Sequence, residues 1–152
     1  MDLNEQAIAR VQITAVMHRY ASHARDKADW EAIASCFEPK GIYRFSNGRE
    51  VPPSRASEVV RGNEAKYIRH HITTIDIEFI SEMEAHSCAQ FFATTERKFV
   101  DHSGHWRDLW RKQKDGSWLI RERTIVTEKQ DPEGWSAIVC GKESLAMAEK
   151  FA

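Results

Sequence analysis

Four strand-like segments fill most of the second half of the chain, and they restrict the fold more than any other feature. Within each segment apolar and polar residues alternate, as in a β-strand with one buried face. The segments are 67–80, 85–100, 104–113 and 117–127. Because short turns join them, they predict an antiparallel meander.

Helical patterns precede these segments. Apolar residues recur at three- and four-residue steps over 4–23, which predicts an amphipathic helix. Asp29 is a good N-cap for a second, short helix that would carry Phe37 on its apolar face. We expect a brief strand at 42–45 and a third helix that opens at 52–54, where two prolines and a serine occur together. Helices followed by an antiparallel sheet form an α+β fold.

The length and charge are those of a single domain without a strongly charged partner. All 152 residues are assigned to one domain, 1–152, with its core at about 5–127. The 22 Lys and Arg residues are balanced by 23 Asp and Glu residues. This balance argues against a nucleic-acid partner, because binding to phosphates needs a surplus of positive charge.

The C-terminal segment, 128–152, is expected to cover the core or to mediate oligomerisation. Its stretch 134–139 fits a strand or a covering segment. The stretch 142–151 predicts a helix with an apolar stripe formed by Leu145, Ala148 and Phe151. Such a helix could close a pocket or pack on a neighbouring subunit, and both alternatives stay open.

Apolar runs and cysteines indicate the compartment. The longest apolar run, 137–140, has four residues, too few for a membrane span or a signal peptide. We therefore expect a cytoplasmic protein without a membrane partner. Cys36, Cys88 and Cys140 lack the CxxC spacing of zinc or redox sites and are expected to be reduced thiols.

The histidines do not predict a metal site. His70 and His71 are adjacent on a predicted strand, so their side chains point to opposite faces. The segment 102–105, which contains two further histidines, is interpreted as a polar turn. We expect no metal ligands and no metal cofactor.

The last turn sets the register of the final two strands. Lys114-Asp115-Gly116 predicts a three-residue loop with Gly116 in the left-handed conformation. This register places Trp110 opposite Ile120. One face then carries Trp106, Trp110, Trp118, Ile120 and Val126. The other carries Arg107, Arg111, Arg121 and Arg123.

The same register places two carboxylates, Asp108 and Glu122, opposite each other on the aromatic face. Asp108 could pair with a nearby arginine at the sheet margin. Alternatively, it is a polar group placed in a pocket.

The strand predicted at 67–80 does not keep its apolar residues on one face unless one extra residue is inserted in its middle. A bulge near Thr73-Thr74 would place His70 on the inner face, whereas a regular strand would place His71 there. On the next strand the face formed by Ala89, Phe91, Ala93 and Thr95 is half small residues, which predicts a cavity. An imidazole would then face an apolar space.

Three segments of the sequence resemble those of a known family. They are Tyr20 with 26–33, then 69–74, and finally 104–108 leading to 115–120. In this order and spacing the chain resembles the SnoaL-like branch of the nuclear transport factor 2-like superfamily. The resemblance covers about 5–127 and implies a cone, a strongly bent antiparallel sheet wrapped around N-terminal helices with a deep apolar pocket.

The resemblance also implies a catalytic pair. In family members such as scytalone dehydratase and hexachlorocyclohexane dehydrochlorinase, a histidine on the first long strand is the base and an aspartate after the first helix orients it. These positions fall at His70 and Asp26, and no cofactor is implied. An imidazole has a pKa near neutrality, and a carboxylate on its second nitrogen fixes the tautomer.

Further residues are expected to line the pocket. Tyr20, Tyr43 and Asp108 are candidate polar groups. The remaining candidates are Phe45, Phe91, Thr95, Trp106 and Trp110. Family dehydratases have a phenol where this chain has Phe45 and a second acid where it has Thr95. These differences favour isomerisation, cyclisation or loss of a good leaving group.

Two functions are therefore compatible with the sequence. The first is a lyase or isomerase, related to dehydratases and polyketide cyclases, that acts on a small hydrophobic cyclic metabolite. The second is a non-catalytic ligand-binding module or accessory subunit of a ring-hydroxylating oxygenase. By analogy with relatives we expect a homodimer or homotrimer.

Overall fold

The computed structural model describes residues 1–24 and 27–151, which form helices and one sheet. The helices are α1 Leu3–His23, α2 Trp30–Ala34, α3 Ser57–Val60, α4 Trp135–Cys140 and α5 Ala146–Lys150. The strands are β1 Phe37–Arg44, β2 Glu50–Val51, β3 Ile68–Phe79, β4 Glu84–Thr95, β5 His102–Lys112 and β6 Trp118–Gln130. The predicted α+β fold is confirmed.

The sheet has the strand order β2-β1-β6-β5-β4-β3. Strands β3 to β6 form the predicted antiparallel meander, while β1 runs parallel to β6. The sheet is curled and open. Helix α1 contacts β3 and β6, so it lies against the inner face of the sheet.

Helix α1 forms because its start is capped and one face is apolar. The Asp2 side chain accepts from the Glu5 backbone N–H, and the Glu5 side chain accepts from the Asp2 backbone N–H. Ile13, Met17 and Tyr20 from the inner face are buried in the core. The helix therefore points the Tyr20 hydroxyl towards the sheet.

Several short elements differ from the sequence predictions. Helix α2 is capped by Asp29 as expected but ends at Ala34, and Phe37 begins β1 because its backbone pairs with Ile120. The third helix is a 3₁₀ turn at Pro53–Arg55 followed by the four-residue α3.

The C-terminal segment also differs in detail. The strand interpretation of 134–139 is wrong, because α4 forms there. The stretch 142–151 is divided into a 3₁₀ turn, Lys142–Leu145, and α5. Met147 is the buried apolar residue of α5, whereas Leu145 and Phe151 are partly exposed.

The β5–β6 register agrees with the prediction near the turn and departs from it further along. Gly116 has φ +85° and Trp110 lies opposite Ile120, as expected. Beyond Trp110 the register shifts, so that Asp108 opposes Arg123 rather than Glu122. The predicted pairing would have put two carboxylates side by side, which is unfavourable, whereas the shift supplies a counter-charge.

The shift reverses which β6 residues face inward. Arg123, predicted on the polar face, is fully buried on the inner face. Val126, predicted on the aromatic face, pairs with His105 on the outer face and is buried there. The 3₁₀ turn at Lys142–Leu145 and α5 contact β6.

The structure also shows the state of the cysteines and the character of the helices. All three cysteines are free, with Cys36 and Cys140 buried and Cys88 half-buried. None of the helices in 1–24 and 27–151 combines the length and apolar character needed to span a bilayer.

Candidate functional site

A cavity of about 300 Å³ lies among α1, α2, α4 and the inner face of the sheet. Aromatic and aliphatic side chains form most of its wall. Six of the residues expected from the sequence line it, namely Tyr20, Tyr43, Phe45, His70, Phe91 and Trp106. The volume is at the lower end of the range for small-molecule sites.

His70 enters this wall because β3 contains the predicted bulge. Ile72 pairs with Phe91 whereas Ile75 pairs with Ala89, so one extra residue is inserted at Thr73-Thr74. The His70 ring lies 5.3 Å from the Trp106 ring and 5.4 Å from the Phe91 ring between centroids, both edge-to-face. The bulge therefore determines that His70, and not His71, faces the cavity.

The surroundings of His70 keep its imidazole neutral. Burial of the ring is the main reason that the pKa of His70 lies well below its usual value of 6.5, and the charges of His102, Arg123 and His71 lower it further. Its Nδ1 is buried and has no hydrogen-bond partner among the described residues. A neutral imidazole has a free lone pair and can accept a proton.

The predicted partner Asp26 lies outside the described residues. Lys27 and Ala28, which follow it in the sequence, both line the cavity. Lys27 has φ 53°, a left-handed conformation that is uncommon for a residue with a side chain.

Two phenols form a second polar feature of the wall. The hydroxyl groups of Tyr20 and Tyr43 are hydrogen-bonded to each other. Burial raises the pKa of Tyr20, and it raises the pKa of Tyr43 well above the ordinary value. Both phenols are therefore protonated at neutral pH. The pair holds two hydroxyl hydrogens and uses one internally, which leaves the other for a ligand oxygen.

Asp108 does not belong to the cavity wall, because it forms an ion pair with Arg123 behind the wall. The Arg123 Nε and Nη2 atoms donate to the two carboxylate oxygens at 2.8 and 2.7 Å, and both side chains have no exposed surface. The guanidinium carbon lies 4.2 Å from the Tyr20 ring centroid and 4.1 Å from that of Trp106. The pairing interpretation of Asp108 thus fits, with the arginine in the core rather than at the margin.

Trp110 and Thr95 also lie outside the cavity wall. The Trp110 indole Nε1 donates to Ser87 Oγ at 2.8 Å, and both residues are buried. The Thr95 hydroxyl donates to Asp101 Oδ2 at 2.9 Å. Thr95 therefore contributes to the site only through Asp101.

Sequence reasoning missed a His–Asp pair formed by His102 and Asp101. His102 lines the cavity, and its Nδ1 lies 2.8 Å from Asp101 Oδ1. Backbone N–H groups of Trp135 and Ser136 donate to the same carboxylate at 2.6 and 3.0 Å. Burial by itself would raise the pKa of Asp101, but the hydrogen bonds from His102, Ser136, Trp135 and Thr95 together lower it to about 2.

One signal could have revealed His102. It has the same strand parity as Gly104 and Trp106, and Trp106 was expected on the inner face. The polar-turn interpretation of 102–105 is wrong, because β5 begins at His102. No comparable pattern identifies Trp135, Ser136 or Cys140, which reach the cavity through α4.

The other histidines near the site face away from it. His71 is exposed and stacks on Phe92 with the ring centroids 4.6 Å apart. His105 Nδ1 lies 2.9 Å from Glu128 Oε1. Over 1–24 and 27–151, no three His, Cys, Asp or Glu side chains are grouped so that they could hold a metal ion.

Solved structures of several proteins share this fold. A candidate scytalone dehydratase from Novosphingobium aromaticivorans is 20% identical, with a TM-score of 0.72 over 86% of this chain and 91% of that chain. A Mycobacterium tuberculosis protein of unknown function is 21% identical, with a TM-score of 0.74 over 94% and 96%. A type 2 hexachlorocyclohexane dehydrochlorinase is 12% identical, with a TM-score of 0.64 over 82% and 91%.

A family comparison gives the assignment. No protein with a curated description matches the sequence. The model of the SnoaL-like domain family matches residues 5–124, the region that contains α1, α2 and most of the sheet. Since this match covers most of the chain, the protein belongs to the SnoaL-like domain family.

Proposed function

We propose that the protein is a cofactor-independent lyase or isomerase in which His70 removes a proton from a small hydrophobic cyclic substrate. One observation carries this proposal. A neutral imidazole, with Nδ1 unpaired among the described residues, stands in the wall of an apolar cavity. General bases act best when they are unprotonated at the working pH and within reach of the substrate.

The cavity wall favours a ring-shaped substrate that carries a carbonyl group. Phe45, Phe91 and Trp106 offer aromatic surface for a ring. Removal of a proton next to a carbonyl group places negative charge on the carbonyl oxygen. A hydroxyl hydrogen of the Tyr20–Tyr43 pair can stabilise that charge, since donors that are already oriented act strongly in a site of low polarity.

Asp26 keeps its proposed role as the residue that orients His70. Two of the proteins with a similar fold also support the proposal. One is a candidate dehydratase and the other a dehydrochlorinase, and both kinds of enzyme carry out eliminations. A β-elimination begins with the removal of a proton, which is the step proposed here for His70. Metal or organic cofactors take no part in this step.

The experiment is deuterium exchange at the carbon next to the carbonyl group of 2-tetralone, a two-ring ketone, followed by NMR in D₂O. The wild-type protein should accelerate the exchange above the buffer rate. His70→Gln should lower the catalysed rate by about 100-fold or more, the usual contribution of a general base. Asp26→Asn should lower it to a smaller extent.

The matched control is His71→Gln, which removes the neighbouring imidazole from the outer face and should leave the exchange rate unchanged. Loss of exchange in His71→Gln with retention in His70→Gln would contradict the proposal. If the wild-type protein binds 2-tetralone but does not accelerate exchange, a non-catalytic ligand-binding module becomes the better description.

A further inference from the structure

We propose that His102, oriented by Asp101, is a general acid that protonates the leaving group in an elimination begun by His70. This inference rests on the proposed function of His70 and adds a second catalytic residue to the same site.

The hydrogen bonds of Asp101 determine which nitrogen of His102 can exchange a proton. The Asp101 carboxylate has no exposed surface and accepts from the Thr95 hydroxyl and two backbone N–H groups. A carboxylate so surrounded stays ionised and can only accept hydrogen bonds. His102 Nδ1 therefore carries a hydrogen, and Nε2 is left to exchange protons with a ligand.

The sheet register places His102 and His70 side by side on one face. Ala93 on β4 pairs with His70 on β3 and with His102 on β5. Residues directly opposite one another in a sheet share a face, so the two imidazoles flank a methyl group. Their ring centroids are 6.0 Å apart, and Phe91 contacts both rings.

This separation suits an elimination across two neighbouring carbon atoms. The base must reach a hydrogen on one carbon and the acid an oxygen on the next, each at about 3 Å. His70 takes the proton from the carbon next to the carbonyl group, and the C–H electron pair forms the C=C bond. His102 starts this step with a hydrogen on both ring nitrogens; the C–O bond breaks, and the proton on Nε2 joins the leaving oxygen to give water.

The proton balance closes without another reactant. After the elimination His70 is protonated and His102 is neutral with Nδ1–H still bound to Asp101. Transfer of the proton from His70 to His102, directly or through the product water, restores the starting state. Asp101 stays ionised throughout and is a positioning residue.

Asp101 also stabilises the fold, because the backbone N–H groups that donate to its carboxylate belong to Trp135 and Ser136 at the start of α4. Asp101 can hold the start of α4 in place without any contribution from the His102 imidazole. The test therefore needs a readout that a purely structural role would not change, and the chemistry of the leaving group provides one.

The experiment compares two substrates that give the same product, cyclohexenone. 3-Hydroxycyclohexanone needs an acid because hydroxide is a poor leaving group, whereas 3-acetoxycyclohexanone loses acetate without one. His102→Gln should lower turnover of the hydroxy ketone by about 100-fold or more while changing turnover of the acetoxy ketone by only a few fold. His70→Gln should lower both.

The matched control is His105→Gln, which removes an imidazole from the other face of the same strand and should change neither rate. Asp101→Asn should lower turnover of the hydroxy ketone selectively, by about 10-fold or more, and should move the His102 Nδ1 resonance in ¹⁵N NMR.

Two results would overturn the acid role while the proposed function stands. One is unchanged turnover of the hydroxy ketone by His102→Gln, or an equal loss on both substrates. The other is a wild-type protein that exchanges 2-tetralone but eliminates neither substrate. If the wild-type protein shows neither exchange nor elimination, the proposed function fails, and the acid role fails with it.

Discussion

At the residue scale, the surroundings of His70 keep its imidazole unprotonated for the proposed reaction and destabilise the folded protein when that imidazole is protonated. The His70 ring is buried among aromatic side chains, which disfavours the protonated form, and the positive charge of Arg123 on β6 disfavours it further. The same features that keep a lone pair available for catalysis therefore oppose protonation of the folded protein.

This cost predicts a dependence of stability on pH. The pKa of His70 is lower in the folded protein than the usual 6.5 of an unfolded chain. Below pH 6.5 the unfolded state therefore binds the proton more readily, and stability falls as the pH falls. The contribution is at most about 1.4 kcal/mol per pH unit for one histidine. Urea denaturation at pH 7.5 and pH 5.5 measures it.

His70→Gln should remove part of this pH dependence, whereas His71→Gln should remove much less, because His71 is exposed and its charge is the weakest of those that lower the His70 pKa. Equal pH dependence in the wild-type protein and His70→Gln would show that the His70 imidazole is not disfavoured in its charged form.

Single residues were predicted well where local pattern determines their environment. The interrupted alternation of β3 indicated a bulge near Thr73-Thr74 that would place His70 inward, and the structure contains this bulge. Arg123 was placed on the wrong face, because its burial depends on a partner, Asp108, that lies on another strand. Ion pairs between strands depend on register, and register cannot be obtained from one strand alone.

At the element scale, strand irregularities determine which side chains face the cavity. The β3 bulge turns His70 inward, and the shift between β5 and β6 turns Arg123 inward. A second shift, next to Gly104, follows His102 by two residues. A bulge changes face parity, so each of these irregularities affects the site.

Gly104 is required by this second shift. A Cβ atom on Gly104 would lie 1.9 Å from the Val126 carbonyl oxygen, which is far inside van der Waals contact. Gly104→Ala should therefore destabilise the protein by about 1–3 kcal/mol, because the β6 backbone must move. Thermal unfolding measured by circular dichroism gives the change.

Ser103→Ala is the control, since Ser103 is half-buried on the same strand and its change removes only a hydroxyl group. A Gly104→Ala protein as stable as Ser103→Ala would mean that the backbone of β6 does not approach Gly104 closely.

At the scale of the whole molecule, the C-terminal segment contacts two parts of the fold. Its first helix, α4, contributes to the cavity wall, and the residues after α4 pack on β6. Trp135, Ser136 and Cys140 of α4 line the cavity, and the Trp135 indole donates to the Asn63 carbonyl oxygen at 2.6 Å. The following 3₁₀ turn and α5 contact β6. The sequence assigns the role of closing a pocket to a helix at 142–151, whereas the C-terminal residues that line the cavity in the structure belong to α4.

We propose that two or three copies associate through the outer face of the sheet. Phe92, Leu109 and Leu119 occupy this face and are only half-buried. Association would remove their apolar surface from water. Sedimentation velocity should therefore show a dimer or trimer, and Leu109→Arg should shift it towards the monomer.

Arg107→Ala, which removes a neighbouring charge from the same strand without adding one, is the comparison for Leu109→Arg. A wild-type protein that sediments as a monomer at all concentrations would contradict association through this face.

The sequence by itself determined the class of fold, the meander and the last turn, and it restricted the inward imidazole to His70 or His71. These follow from periodicity and turn chemistry, which act over a few residues. Only the tertiary structure decided that His70 rather than His71 faces the cavity, that Arg123 neutralises Asp108, that Asp101 orients His102 and that α4 lines the cavity. Each of these depends on the register between strands or on a contact between distant segments, such as Asp101 with the start of α4. Such contacts follow from the packing of the whole chain and leave no periodic pattern in the sequence.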